Sequence, residues 1–253
     1  METTTDSCSD VLIEFQDHKQ NTIEDGFNFD NAYIKANFFL KVFWIISAQF
    51  AVTSGVTYWF LFEDQTKFFI QKNFGILIVA GVLLFMVLLI VGFCGELRRD
   101  SPVNYAILIS FTLSKAFLIA CLSTVFYNYI LLVTSLIICA TCFGLGLFAN
   151  PTCIKFNVLK GLLFTFTLHF VIIAVIFAIA EFYLEITIST LVSFCVTGYY
   201  IYDIQLMTRK QHVYDLEPYE CIFAAVSVFI DFPQIIYKVC LCKVISGEVS
   251  MRG

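Results

Sequence analysis

The sequence predicts an all-α membrane protein, a bundle of seven transmembrane segments. Of its 253 residues, 59% are hydrophobic and only 14% are charged, and the mean hydropathy is +0.85. A soluble domain averages about 45–50% apolar and about 25% charged residues. Lipid offers backbone groups no partner outside a helix or a closed barrel, and the apolar runs here are too continuous for barrel strands. The composition therefore excludes a secreted disulfide scaffold and a disordered regulator.

Seven apolar stretches approach the length of about 20 residues that a helix needs to cross a bilayer core. Six of them are residues 42–62, 74–94, 103–126, 129–149, 161–180 and 186–202. The fourth follows the third after Tyr127 and Asn128, which predicts a tight antiparallel hairpin. The seventh, residues 221–237, carries Pro233 in its second half. Because proline interrupts the helical hydrogen-bond ladder, this segment either spans with a kink or turns back within the membrane.

The ends of the chain differ from its middle. Residues 1–33 hold eight carboxylates against Lys19, which predicts a disordered acidic tail in the cytosol. Residues 34–243 form the predicted transmembrane domain, and residues 244–253 form a short C-terminal tail. With 15 basic against 20 acidic residues, the chain has no cationic face for nucleic acid.

The basic residues predict the orientation in the membrane. Nine of them fall on the side of the N-terminus, whereas Lys67 and Lys72 lie between the first two segments on the opposite side. Basic residues are enriched in cytosolic loops, so the N-terminus is expected in the cytosol. This orientation argues against a receptor of the common kind, whose N-terminus is extracellular.

No enzyme is predicted. The chain has no Gly-x-Ser-x-Gly, no His-Glu-x-x-His and no glycine-rich phosphate loop, and it has only three histidines. His169, in the middle of the fifth segment, is expected to bond to a neighbouring helix, with a proton relay as the alternative.

Two acids at membrane depth are candidate functional residues because ionisable groups are costly there. Asp203 ends the sixth segment, and Asp231 lies inside the seventh. On adjacent helices they could share a proton or hold a cation. In the alternative interpretation, Asp203 caps a helix end at the interface and Asp231 is neutral or paired with a basic group.

Several motifs, in order along the chain, resemble one known family. They lie at residues 34–43, at residues 93–99, at residues 201–206 with the sequence IYDIQL, and at residues 214–225 with the sequence YDLEPYECIFAA. Together they resemble the transmembrane Bax-inhibitor-motif family, specifically its Lifeguard branch. The similarity extends from about residue 34 to residue 238.

The resemblance implies a seven-segment bundle wrapped around its last helix, in the membrane of the endoplasmic reticulum or Golgi. It implies a pH-sensitive calcium leak that lowers store calcium and restrains apoptosis. Asp203 and Asp231 would then be the pH-sensing pair, with Ca²⁺ near them as the transported ion and no cofactor. Arg98 or Arg99 would latch that pair in the closed state. The partners would be the lipid bilayer, calcium and other membrane proteins of the apoptosis or calcium pathways.

The chain also departs from the family pattern. Lys115 stands in the third segment where many relatives have Glu, and Tyr219 replaces one of two neighbouring acids, leaving Glu220 as a possible pore-mouth acid. Lys115 could hold an aspartate ionised and repel Ca²⁺, acting as a built-in latch. Alternatively it deprotonates or extends to the interface and changes nothing. A non-conducting membrane adaptor is therefore the alternative function.

Overall fold

The computed structural model describes residues 32–93, 102–126, 129–149, 158–179, 183–208 and 218–230. Every regular element in these ranges is a helix. The helices are α1 (Ala32–Phe62), α2 (Asp64–Lys72), α3 (Gly75–Phe93), α4 (Val103–Val125), α5 (Ile130–Phe148), α6 (Val158–Ile179), α7 (Tyr183–Thr208) and α8 (Cys221–Ile230). The predicted acidic tail up to residue 31, the turn at Tyr127 and Asn128, and the tail at 244–253 lie outside the described residues.

The prediction of an all-α membrane protein is confirmed. Within the described ranges, α1, α3, α4, α5 and α7 are long and apolar enough to cross a membrane, and α6 and α8 contain shorter apolar stretches. The first helix begins at Ala32, ten residues before the predicted window. In the sequence, Lys41 comes directly before the predicted uncharged window. In the structure its side chain is exposed, whereas Phe38 and Phe39, which precede it, are buried. The helix therefore continues past the charge.

The short helix α2 was not predicted. It has Asp64 in its first turn and Lys72 in its last, which suits the helix dipole at both ends. Ile70 is buried, and the Gln71 side-chain amide donates to the Thr124 carbonyl at 3.0 Å. These contacts fix α2 against the end of α4.

The main core is built on one face of α1. Phe39, Val42, Phe43, Ile46 and Phe50 follow the three- and four-residue spacing of a helix face and are all buried. This face packs against residues of α5, α7 and α8. Helix α1 also contacts α4 along its length, whereas α4 and α5 touch each other little although they are consecutive. Helix α1 therefore contributes to the centre of the bundle together with α8.

Helix α8 lies in the interior of the bundle. All six residues from Phe223 to Val228 are buried, which agrees with the expectation of a bundle wrapped around its last helix. Small side chains at Ala224, Ala225 and Ser227 let neighbouring helices approach closely. The Tyr199 hydroxyl of α7 donates to the Val228 carbonyl at 3.0 Å. This hydrogen bond ties α8 to α7.

The close contact between α1 and α5 requires glycine at residue 146. A Cβ added at Gly146 would lie 2.9 Å from Trp44 Cδ1 and 3.0 Å from its Nε1. We therefore expect Gly146→Leu to lower the free energy of unfolding by about 1–3 kcal/mol, because the indole must move. Unfolding in mixed detergent micelles, followed by circular dichroism, measures this change.

The matched control is Gly55→Leu in α1, where nothing lies within 4 Å of the added Cβ. This variant should unfold like the wild type. Equal destabilisation by the two substitutions would show that the α1–α5 contact is not the cause.

Candidate functional site

A buried lysine stands at the centre of the candidate site. Lys115 lies in the middle of α4 and is only 8% exposed. Its ammonium nitrogen is 4.0 Å from the ring centroid of Phe229, 4.3 Å from that of Phe50 and 5.7 Å from that of Phe111. We call these three rings the aromatic box.

Three different helices supply the box. Phe111 precedes Lys115 by four residues on α4, so the two side chains lie on the same face. Phe50 belongs to the buried face of α1, and Phe229 lies at the end of α8. The rings also contact one another, with centroids 5.3 Å apart for Phe111 and Phe229 and 6.0 Å apart for Phe50 and Phe229. The position of the box is thus fixed by the packing of α1, α4 and α8.

The box accounts for the presence of a charge at this depth. Insertion scales assign a lysine at the centre of a membrane helix a cost of about 2.5–3.5 kcal/mol. A desolvated cation–π contact contributes about 2 kcal/mol. The two closer rings, Phe50 and Phe229, therefore offset most of the insertion cost.

The structure tests only part of the sequence interpretations of Lys115, and both the latch and the deprotonation stay predictions. Its nitrogen is buried, so the side chain does not extend to the interface. It also makes no hydrogen bond within the described residues, so it does not bond to a carboxylate there. Its neighbours in the described part of the chain are ring faces, and Asp231, two residues after Phe229, lies outside that part. The signal in the sequence was the spacing of Phe111 and Lys115, but nothing in it pointed to Phe50 or Phe229.

Asp203 lies inside the bundle. It is fully buried, and α7 continues five residues beyond it to Thr208. The alternative that Asp203 caps a helix end is therefore wrong. Ile201 and Ile204 beside it are also fully buried.

The structure describes only some of the other predicted site residues. Asp231, Arg98 and Arg99 lie outside the described residues, so the proposed acid pair and its latch stay predictions. Glu220 comes directly before α8 and is half-buried, and its carbonyl accepts from the Ala224 amide at 3.1 Å. Tyr219 is exposed. In the described part of the chain, no group of three or more His, Cys, Asp or Glu side chains could hold a metal ion.

His169 bonds to a neighbouring helix, as the sequence led us to expect. Its Nδ1 is 2.8 Å from the Thr165 carbonyl, and its Nε2 is 2.9 Å from the Ser193 hydroxyl of α7. A carbonyl only accepts, so Nδ1 is the donor and Nε2 accepts from Ser193. The hydroxyl is also 2.9 Å from the Thr190 carbonyl, so two acceptors share its proton. Both ring nitrogens therefore have partners.

Comparison with known proteins identifies the family. The profile of the family described as inhibitor of apoptosis-promoting Bax1 matches residues 35–243. The chain belongs to this family. The match covers every helix that contributes to the aromatic box, and it confirms the resemblance stated from the motifs.

Curated relatives agree with this assignment. The chain is 22% identical to human protein lifeguard 3 over 224 residues, which cover 85% of this chain and 71% of the relative. It is 22% identical to mouse protein lifeguard 3 over 212 residues, covering 81% and 68%. It is 26% identical to mouse protein lifeguard 4 over 227 residues, covering 85% and 90%. No solved structure matches the chain.

The hydrogen bond between α7 and α8 can be tested by removing one atom. Tyr199→Phe deletes the donor to the Val228 carbonyl. We expect it to lower the free energy of unfolding by about 0.5–1.5 kcal/mol, measured in mixed micelles. Tyr202→Phe, at an exposed position three residues along the same helix, is the matched control and should have no effect. Equal stability of both variants would contradict a stabilising role for this bond.

Proposed function

We propose that this chain restrains apoptosis as a pH-sensitive calcium leak of intracellular membranes, the endoplasmic reticulum or Golgi, with its N-terminus in the cytosol. Membership of the Bax1-inhibitor family supports the coarser part, a multi-pass membrane protein that regulates apoptosis. The observation that carries the finer part is Asp203, an acid that is fully buried inside a membrane-spanning helix. Such residues mark ion and proton pathways.

In this proposal Asp203 attracts the ion and Lys115 restrains its passage. Ca²⁺ is bound by oxygen ligands, which a carboxylate provides. A positive charge near the path opposes entry, because two unit charges at about 4 Å interact by about 4 kcal/mol at an effective dielectric constant of 20. The repulsion of Ca²⁺ is twice that of a monovalent ion at the same distance. The ammonium in the aromatic box therefore keeps the resting leak low.

The proposal requires no catalytic group and no cofactor, and calcium is the transported ion. Its partners are the lipid bilayer and membrane proteins of the apoptosis or calcium pathways. Asp231 is included as the second acid of the pH-sensing pair on the strength of the family resemblance.

Calcium efflux from liposomes that contain the purified full chain tests the pathway. We expect a leak that changes between about pH 6 and 8, since the family resemblance implies a pH-sensitive leak. Asp203→Asn should abolish this pH dependence because it removes one carboxyl group of the proposed pair, and Asp231→Asn should do the same. A leak with the wild-type pH profile in both variants would remove the acids from the mechanism.

Lys115→Met tests the restraint, because it removes the charge and keeps a long apolar side chain in the aromatic box. We expect the leak to rise at least tenfold, which corresponds to about 1.4 kcal/mol of relieved repulsion. Lys160→Met is the matched control, since Lys160 is exposed near the start of α6. An unchanged leak in Lys115→Met would contradict the restraint.

A second candidate function is a non-conducting membrane adaptor that regulates apoptosis or calcium channels by protein contact. The specific observation in its favour is that the aromatic box is occupied by the protein's own cation. The same liposome assay separates the two functions. Folded wild type and Lys115→Met that both fail to release calcium would favour the adaptor.

A further inference from the structure

Helix α2 packs one face against the protein and leaves two large apolar side chains outside. Ile70 is buried in a cluster with Ala80 of α3 and Cys121 of α4. The rings of Phe68 and Phe69, by contrast, are 69% and 60% exposed. With 3.6 residues per turn, Phe68 lies about 160° around the helix from Ile70. The described part of the protein therefore does not cover these two rings.

The connections to α1 and α3 fix the depth of α2 in the membrane. Only Glu63 separates it from the end of α1, and Asn73 and Phe74 separate it from the start of α3. Both neighbouring helices are long and apolar enough to cross a membrane, so the ends that α2 connects lie at a membrane surface. The nine residues of α2 are only about 14 Å long. With both ends held there, α2 lies along the headgroup region, which is about 5–8 Å deep.

Exposed rings flank α2 on both sides along the chain. Trp59 and Phe62 at the end of α1 are exposed, and so is Phe74 just before α3. Trp59 and Phe62 lie in a spanning helix, where an exposed side chain faces lipid tails or headgroups. Tryptophan is itself enriched at the boundary between membrane and water. Phe68 and Phe69 therefore continue a surface that already meets the bilayer.

The charges of this segment indicate which kind of lipid surface it fits. Glu63 and Asp64 are acidic, whereas Lys67 and Lys72 are basic, so residues 63–72 are neutral overall. A neutral segment has no electrostatic preference for anionic lipids or for a strongly charged protein partner. Insertion of the apolar rings is then the main source of binding, as in helices that lie in the plane of the membrane.

We propose that α2 is an in-plane anchor whose Phe68 and Phe69 rings insert into a zwitterionic phospholipid leaflet, on the side of the membrane opposite the N-terminus. Its other face holds the bundle, since Ile70 packs among residues of α1, α3 and α4 and Gln71 donates to the Thr124 carbonyl. The anchor thus sets the depth at which these three helices end. It is separate from the aromatic box and does not depend on the proposed calcium leak.

Carbene labelling of the full chain in phosphatidylcholine nanodiscs tests the anchor. A small water-soluble diazirine reports contact with water, and its labelling of each residue is divided by that of the synthetic peptide of residues 63–72 in solution. We expect this labelling to fall about tenfold at Phe68 and Phe69, because inserted rings leave the water. The protein alone leaves 69% and 60% of these rings exposed, so without lipid the loss would stay below about twofold. Glu63 and Asp64, exposed at the start of the same helix, are the internal control and should stay labelled.

A second reagent, a phosphatidylcholine with a diazirine on the acyl-chain carbon next to the glycerol, reports contact with lipid. It should label α2 in the wild type and about fivefold less in the double variant Phe68→Ser with Phe69→Ser. This variant keeps Ile70 and Gln71, which hold α2 to the bundle. Gln65→Ser, at an exposed polar position of α2, is the matched control and should be labelled like the wild type.

The wild-type measurements do not depend on the folding of any variant. A loss of water labelling below about twofold at Phe68 and Phe69 would overturn the proposal, in favour of a water-exposed surface for a protein partner. Lipid labelling of α2 that requires added phosphatidylserine would also overturn it, in favour of a site for anionic lipid.

Discussion

A charged ammonium group can remain inside a lipid-embedded bundle only where other groups replace the water that it has lost. Among the described residues, Lys115 meets this constraint through ring faces from α1, α4 and α8. Because three helices must come together to build the aromatic box, the cation and the helix packing depend on each other. Loss of the packing would leave the charge in lipid, and loss of a ring would weaken the contact between helices.

Close packing of the helices around the aromatic box holds its rings near Lys115. Helix α8 lies in the interior because Ala224, Ala225 and Ser227 allow close approach, and the Tyr199 hydroxyl holds it to α7. Helix α1 presents a continuous buried face to α5, α7 and α8 while also packing against α4. Phe229 is consequently held over Lys115 by the same contacts that bury α8. Small residues and the Tyr199 hydrogen bond thus help to fix where Phe229 meets Lys115.

The family assignment and the site have different consequences for function. Membership of the Bax1-inhibitor family establishes the general class of the protein, whereas Lys115 places a basic group in the middle of α4. Asp203 and Lys115 bring opposite signs into the same lipid-embedded bundle, an acid that favours a cation and a base that opposes it. In the proposed mechanism, the balance between these two groups, rather than either one alone, decides between a restrained leak and a protein that does not conduct.

The sequence by itself determined the helical class, the approximate spans and the place of Lys115 inside a spanning helix, because lipid forces backbone groups to form their hydrogen bonds within each segment. Whether Asp203 capped a helix end was decided by the structure. The sequence missed α2, whose nine residues are too short and too polar for a search of apolar windows. It also did not point to Phe50 or Phe229 as neighbours of Lys115, since aromatic residues make up 17% of the chain. Which of those rings meet the ammonium was decided only by the tertiary structure, because Phe50 and Phe229 are distant from Lys115 in sequence and approach it through helix packing.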